Sequence, residues 1–133
     1  MIGLDTNVLV RYLTQDDAAQ ARLVNALMDR LVAGGERAFV GRIVLCELTW
    51  VLAGPYRFDK ETIVTALERI VSTAQFELDS RDAITLALDE FRRGRADFAD
   101  YLIGRVHQEA GCGLTVTFDR KLETCDAFEL LGR

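Results

Sequence analysis

Short apolar, β-prone segments alternate with amphipathic helical segments along the chain, and this alternation restricts the fold more than any other feature. The predicted strands are Met1–Leu4, Arg37–Val40, Phe76–Leu78, Leu114–Phe118 and Ala127–Leu131. Strands that alternate with helices are typical of a parallel sheet covered by helices. The predicted fold is therefore α/β, a three-layer α/β/α sandwich with a mainly parallel central sheet. Because 133 residues contain no repeat or linker, residues 1–133 are predicted to form a single domain.

Capping residues and glycines predict where the helices begin and end. Thr14 is the predicted N-cap of the first long helix, because Asp17 follows at the spacing of a capping box, and Gly34-Gly35 ends that helix. Asp59 and Ser80 are the predicted starts of two later helices. Further helices are predicted over Ile43–Leu52 and Asp97–Ala110.

The composition excludes several classes of function. The single histidine, His107, rules out a multi-histidine zinc site and is interpreted as a surface or structural residue. Three widely spaced cysteines predict free thiols in a reducing compartment. A net charge of −5 argues against a protein that tracks a long nucleic acid, but not against a nuclease whose metal ions meet the phosphate. No membrane span or signal peptide is evident, so a cytoplasmic protein is expected.

Four carboxylates lie in apolar surroundings, and they are Asp5, Glu47, Asp100 and Asp119. Asp5 directly follows Met-Ile-Gly-Leu, and burying a lone carboxylate is costly unless a metal, a partner or a proton neutralises it. Asp5 and Asp119 each follow a predicted strand, at the edge where open α/β sheets bind ligands. We therefore expect one shared acidic site. Capping of the next helix is the alternative explanation for both aspartates, and it is compatible with a ligand role.

Glu47 is predicted to lie in a very apolar helix. Its helical face also carries Ile43 and Trp50, so a solvated glutamate is not expected there. Coordination of a metal or a water molecule is the favoured interpretation. The alternative is a buried glutamate paired with an arginine such as Arg11 or Arg42.

Asp97 and Asp100 are three residues apart and share a face in the first turn of their predicted helix. Helix capping alone explains Asp97. Asp100 lies deeper in the helix and is the better candidate for the site. Three or four converging carboxylates without histidine favour a hard divalent ion, Mg²⁺ or Mn²⁺, which suits phosphoryl chemistry.

These residues belong to segments that together form a recognisable pattern. Met-Ile-Gly-Leu-Asp-Thr-Asn-Val-Leu-Val-Arg-Tyr-Leu, residues Met1–Leu13, resembles the opening of PIN-domain ribonucleases, most closely the VapC toxins of bacterial toxin–antitoxin pairs. Glu47 in Cys-Glu-Leu-Thr-Trp-Val-Leu is similar to the second acidic motif of that family. Asp100 in Asp-Phe-Ala-Asp-Tyr-Leu-Ile resembles the third motif, and Thr117-Phe-Asp119 resembles the fourth.

The resemblance implies a PIN-like, Rossmann-like sheet and cleavage of RNA phosphodiester bonds by water activated on Mg²⁺ or Mn²⁺. The implied metal-site acids are Asp5, Glu47, Asp100 and Asp119. Supporting positions are implied for Asn7, Thr117 and Asp97. The RNA target is not indicated by any of these motifs.

The resemblance also implies protein partners. These are a second copy of the chain in a homodimer and a VapB-like antitoxin, with larger toxin–antitoxin assemblies built from them. The antitoxin's C-terminal segment is expected along a groove formed by the segments around Arg11–Leu31 and Ile43–Leu67.

Two points stay open at this stage. Basic residues flank the predicted acids, and they are Arg92, Arg93, Arg95, Arg120 and Lys121. They fit RNA phosphates and solvated helix ends equally well. The alternative function is a non-catalytic RNA- or protein-binding regulatory module that retains an acidic ion site.

Overall fold

The computed structural model describes residues 1–132 and divides the chain into two compact units, Met1–Asp79 and Ser80 onward. The first unit contains three strands and four helices. In chain order they are β1 Ile2–Gly3, α1 Thr6–Thr14, α2 Ala18–Gly34, β2 Ala38–Val40, α3 Arg42–Ala53, α4 Lys60–Ser72 and β3 Phe76–Leu78.

The three strands of the first unit form a parallel sheet in the order β1-β2-β3. Ile2 lies opposite Ala38, and Ala38 lies opposite Phe76 on its other side. Ala38, Val40 and Phe76 are fully buried. Because the strands are parallel, the residues that follow β1 and β3 lie at the same edge of this sheet.

The helices of the first unit begin and end mostly where capping signals predict. Gly35 ends α2 with a φ of 65°, a conformation that glycine adopts without strain. Asp59 caps α4 by accepting a hydrogen bond from the Thr62 amide at 2.8 Å. The predicted N-cap at Thr14 is wrong. Thr14 is the last residue of α1, and Asp17 caps α2 by accepting from the Gln20 amide at 3.0 Å.

The second unit contains two long helices and a pair of strands. Its elements are α5 Arg81–Arg93, α6 Phe98–Glu109, β4 Thr115–Thr117, a 3-10 helix Arg120–Leu122 and β5 Phe128–Leu130. Strands β4 and β5 pair in parallel, with Thr115 opposite Phe128. The buried faces of α5 and α6 meet through an edge-to-face contact between Phe91 and Phe98. The parallel pairing and the alternation of strands with helices agree with the predicted α/β class.

None of the helices within residues 1–132 combines the length and the apolar character that a bilayer span requires.

Candidate functional site

Asp5 lies just beyond the end of β1 and is the N-cap of α1. Its Oδ1 accepts a hydrogen bond from the Thr6 amide at 2.8 Å, so the predicted capping role is confirmed. The expectation that this charge is buried is wrong, because Asp5 is exposed. Strand β1 is only two residues long, so Asp5 lies beyond the end of the strand.

Glu47 lies near the middle of α3 and is also exposed. The prediction that its apolar helix face is buried is wrong, since Ile43 is 75% and Trp50 55% exposed. The opposite face of α3, with Leu45 and Leu48, enters the core instead. Because α3 is apolar on nearly all sides, periodicity alone does not identify its buried face.

Thr6 links the two acids. Its backbone amide donates to Asp5, and its hydroxyl donates to Oε1 of Glu47 at 2.7 Å. Asp5, Glu47 and Asn7 line one cavity of about 320 Å³. Sequence analysis did not identify Thr6, because a threonine in the first turn of a helix is ordinary.

The alternative interpretation of Glu47 as the partner of an arginine is wrong. Arg11 pairs with Asp16 at 3.0 Å, and Arg42 pairs with Asp79 at 3.4 Å. Within residues 1–132, Glu47 forms no ion pair and has the Thr6 hydroxyl as its hydrogen-bond partner. A carboxylate without a cationic partner is available to bind a positively charged ligand.

Arg11 and Tyr56 also line the cavity, and they belong to a polar network with Asp16. Arg11 Nη1 donates to the Tyr56 hydroxyl at 2.8 Å, and that hydroxyl donates to Asp16 at 2.7 Å. The hydrogen bond to Tyr56 is the main cause that raises the pKa of Arg11. Hydrogen bonds from Thr14 and then Tyr56 lower the pKa of Asp16. The network therefore holds a permanent cation beside the acids, and sequence analysis missed Tyr56.

In the second unit, Asp97 and Asp100 share the first turn of α6. Asp97 is the N-cap, as predicted, and Asp100 closes a capping box by accepting from the Asp97 amide at 3.1 Å. Asp97 is exposed and Asp100 half-buried. Capping therefore accounts for one oxygen of Asp100 and leaves the other available.

Asp119 follows β4 closely and is the N-cap of the 3-10 helix. Its Oδ1 accepts from the Lys121 amide at 2.9 Å, and its own amide donates to the Thr117 hydroxyl at 3.0 Å. Thr117 thus fixes the backbone of Asp119. The Nδ1 of His107 lies 2.8 Å from the Thr115 hydroxyl, which agrees with a structural role for this exposed histidine.

Sequence analysis missed a polar cluster in the second unit. Glu90, Cys125 and Asp126 bring potential metal-ligand atoms within 4.8 Å of one another. Arg105, however, contacts Glu90 at 2.5 Å and Asp126 at 2.9 Å, so a cation already balances both carboxylates. Burial, followed by the hydrogen bond to Glu90, raises the pKa of Cys125 to about 11, so its thiol keeps its proton. The cluster is therefore a structural ion pair and fits a metal poorly.

The predicted basic residues are partly engaged within their own helix. Arg92 and Arg93 both contact Asp89, at 3.3 and 2.8 Å. Arg95 and Arg120 are exposed. Surface ion pairs of this kind are weak, so they leave the arginines able to change partners.

Comparison with known proteins identifies the family to which the chain is similar. A family model described as PIN domain matches residues 2–127. The chain is similar to the VapC ribonuclease of Aquifex aeolicus (strain VF5), with 25% identity over 120 residues that cover 90% of this chain and 88% of that protein. No solved structure matches the chain significantly. The family match confirms the predicted PIN-like α/β fold class.

Proposed function

Because the chain belongs to the PIN domain family, we propose that it is a Mg²⁺- or Mn²⁺-dependent endoribonuclease that acts as the toxin of a toxin–antitoxin pair. The observation that carries the proposal is the pairing of Asp5 with Glu47. These two acids are remote in sequence, yet they line one cavity and are joined through Thr6. The similarity to a VapC ribonuclease supports the same activity.

The donor atoms fit a hard divalent ion. Oδ2 of Asp5 and Oε2 of Glu47 have no hydrogen-bond partner in residues 1–132, and both side chains are exposed. Carboxylate oxygens without histidine or thiolate suit Mg²⁺ or Mn²⁺. When bound, such an ion supplies polarisation of the phosphate and activation of a water molecule.

We assign a metal-holding role to four acids, Asp5 and Glu47 of the first unit and Asp100 and Asp119 of the second. Asn7, which lines the cavity of Asp5, offers an amide to orient a water molecule or a phosphate oxygen. Thr117 holds the backbone of Asp119 in place. Asp97 acts through the helix cap that it shares with Asp100.

The first unit also offers surfaces for the proposed partners. A cavity of about 430 Å³, lined by Leu52, Phe58 and Tyr56 among others, fits apolar side chains of an antitoxin segment. The exposed Ile43 and Trp50 on α3 fit a second copy of the chain in a homodimer. A toxin of this kind acts on RNA in the cytoplasm.

Co-purification with the product of the reading frame immediately upstream tests whether the protein binds an antitoxin. Light scattering tests whether it forms a homodimer.

RNA cleavage by paired aspartate variants tests the catalytic proposal. Asp5→Asn keeps an oxygen that can accept from the Thr6 amide, so α1 stays capped while the charge is lost. Asp59→Asn is the matched control, because Asp59 is likewise an N-cap aspartate of the first unit but does not line the acidic cavity. We expect the wild type and Asp59→Asn to cleave RNA with Mg²⁺ or Mn²⁺, and Asp5→Asn to be at least about 100-fold slower, as when a group that stabilises the transition state is removed.

Three outcomes would contradict the proposal. Cleavage that survives chelation of the metal excludes the metal dependence. Cleavage that survives Asp5→Asn excludes this site. Binding of RNA without cleavage, by protein that also binds Mn²⁺, favours the alternative of a non-catalytic regulatory module.

A further inference from the structure

Thr6 is one of two threonines of the first unit that are buried, and its hydroxyl has an unusual partner. Thr6 is 8% and Thr49 5% exposed. The hydroxyl of Thr49 bonds within its own helix, to the Cys46 carbonyl at 2.7 Å. The hydroxyl of Thr6 instead reaches a different helix and donates to Glu47 at 2.7 Å. Burying a hydroxyl without a hydrogen-bond partner is costly, so the contact with Glu47 is favoured.

Thr6 constrains both acids of the cavity through two separate donors. Its amide donates a hydrogen bond to Oδ1 of Asp5, and its hydroxyl donates one to Oε1 of Glu47. Each carboxylate is therefore held by one oxygen, while its second oxygen has no partner within residues 1–132. The β-branched side chain has few rotamers in a helix, which limits the directions of the hydroxyl.

We propose that Thr6 is the positioning residue of Glu47 in the metal site. Glutamate has three side-chain torsions, so an exposed Glu47 without Thr6 would sample many orientations. The hydroxyl of Thr6 holds Oε1, so Oε2 of Glu47, which lines the same cavity as Asp5, remains without a partner among the described residues. This inference rests on the proposed function, since it assigns Thr6 a role toward the ion that the acids hold.

A purely structural role is the competing explanation, because Thr6 also lies in the first turn of α1. The two roles make different predictions. A positioning residue acts on metal affinity only while Glu47 is present. A structural residue changes stability and affinity whether or not Glu47 is present.

The experiment measures Mn²⁺ affinity of the whole protein without RNA, by the electron paramagnetic resonance signal of free Mn²⁺. Thr6→Val keeps the shape and removes the hydroxyl, and we expect its affinity to fall about tenfold, at the lower end of what residues supporting a metal ligand contribute. Thr6→Ser restores the hydroxyl, and we expect an affinity within about threefold of the wild type. Thr49→Val is the matched control and is expected to bind Mn²⁺ as the wild type does.

A double-variant cycle separates positioning from structure. In a Glu47→Ala background, adding Thr6→Val should leave the Mn²⁺ affinity unchanged. An unchanged affinity of Thr6→Val alone overturns the inference, and so does an equal loss in both backgrounds. Should Thr6→Val fail to fold, the comparison of Thr6→Ser with the wild type at low Mn²⁺ still applies, and a tenfold loss in this hydroxyl-bearing variant overturns the inference.

The outcomes also distinguish this inference from the proposed function. A wild type that binds Mn²⁺ but does not cleave RNA overturns the nuclease proposal and leaves Thr6 as the positioning residue of an ion site. A wild type that does not bind Mn²⁺ overturns both. Cleavage by Thr6→Val with a lowered kcat and an unchanged KM for RNA supports both.

Discussion

Replacing Arg105 with methionine removes the cation from the ion pair that joins three segments of the second unit. Arg105 lies on α6 and contacts Glu90 of α5 through two bonds, Nε to Oε1 at 2.8 Å and Nη2 to Oε2 at 2.5 Å. The same Nη2 reaches Asp126, just before β5, at 2.9 Å. Methionine keeps the length and the apolar stem of the side chain, so the variant tests the charge rather than the packing.

The cost follows from how far the pair is removed from water. The side chains of Arg105 and Glu90 are 13% and 12% exposed, whereas that of Asp126 is 86% exposed. Breaking a buried ion pair by removing one partner costs about 3–5 kcal/mol, since the other charge stays buried. Because water still reaches part of this pair, we expect a loss of about 3 kcal/mol for Arg105→Met. The exposed ion pair between Arg105 and Asp126 contributes less than about 1 kcal/mol to the stability.

Urea unfolding followed by far-ultraviolet circular dichroism measures these losses. Asp126→Ala is the control that removes only the exposed ion pair with Arg105. The double variant Glu90→Met/Arg105→Met removes both charges, and it should recover most of the stability, because apolar side chains often replace a buried ion pair without net cost.

Two results would refute this reasoning. A loss below about 1 kcal/mol in Arg105→Met would mean that water solvates Glu90 well enough to replace the guanidinium. A double variant no more stable than Arg105→Met would mean that the loss comes from packing of the arginine stem, because neutralising Glu90 would then bring no gain.

Two further predictions concern the second unit. A Cβ at Gly104 would lie 2.6 Å from the Phe128 ring. Gly104→Ala should therefore lower the free energy of unfolding in urea by about 1–3 kcal/mol, even though alanine favours helices. Gly34→Ala is the control that we expect to be tolerated, because the nearest atom to its Cβ is 3.9 Å away. Because the pKa of Cys125 is raised from 9.0 to about 11, the folded chain keeps a proton that the unfolded chain loses. The free energy of unfolding should therefore fall as pH rises from about 9 to about 11, and it should fall less steeply in Cys125→Ala. Parallel pH profiles for the wild type and Cys125→Ala would contradict this prediction.

Helix ends and strand positions could be predicted where one local signal dominates. Gly35 ends α2 because its left-handed conformation suits glycine, and β3 occupies Phe76–Leu78 as predicted. The start of α2 was mispredicted because Thr14 and Asp17 are both good N-cap residues. Local sequence does not decide between two such caps, since the choice depends on where the preceding helix α1 stops.

Burial was harder to predict than secondary structure. Asp5 and Glu47 were expected to be buried because their neighbours in sequence are apolar, yet both are exposed. In α3, which is apolar on nearly every side, only tertiary packing decides that Leu45 and not Ile43 enters the core. The ion pair of Arg105 with Glu90 escaped prediction for the converse reason. Charged residues on two amphipathic helices are normally solvated, and nothing local marks the pair that is not.

The acids of the candidate site could be proposed from their chemistry, but their orientation could not. A carboxylate in an unusual place is visible in a sequence, because few residue types bind hard cations. The side chain that donates a hydrogen bond to Glu47 is a neutral threonine, a residue type that is common in helices and has no distinguishing spacing. Orientation affects ion binding because each supporting hydrogen bond reduces the torsional freedom that binding must otherwise remove. For this chain, the sequence therefore indicates the proposed ligands, whereas the three-dimensional structure is needed to identify the residues that contact them, such as Thr6.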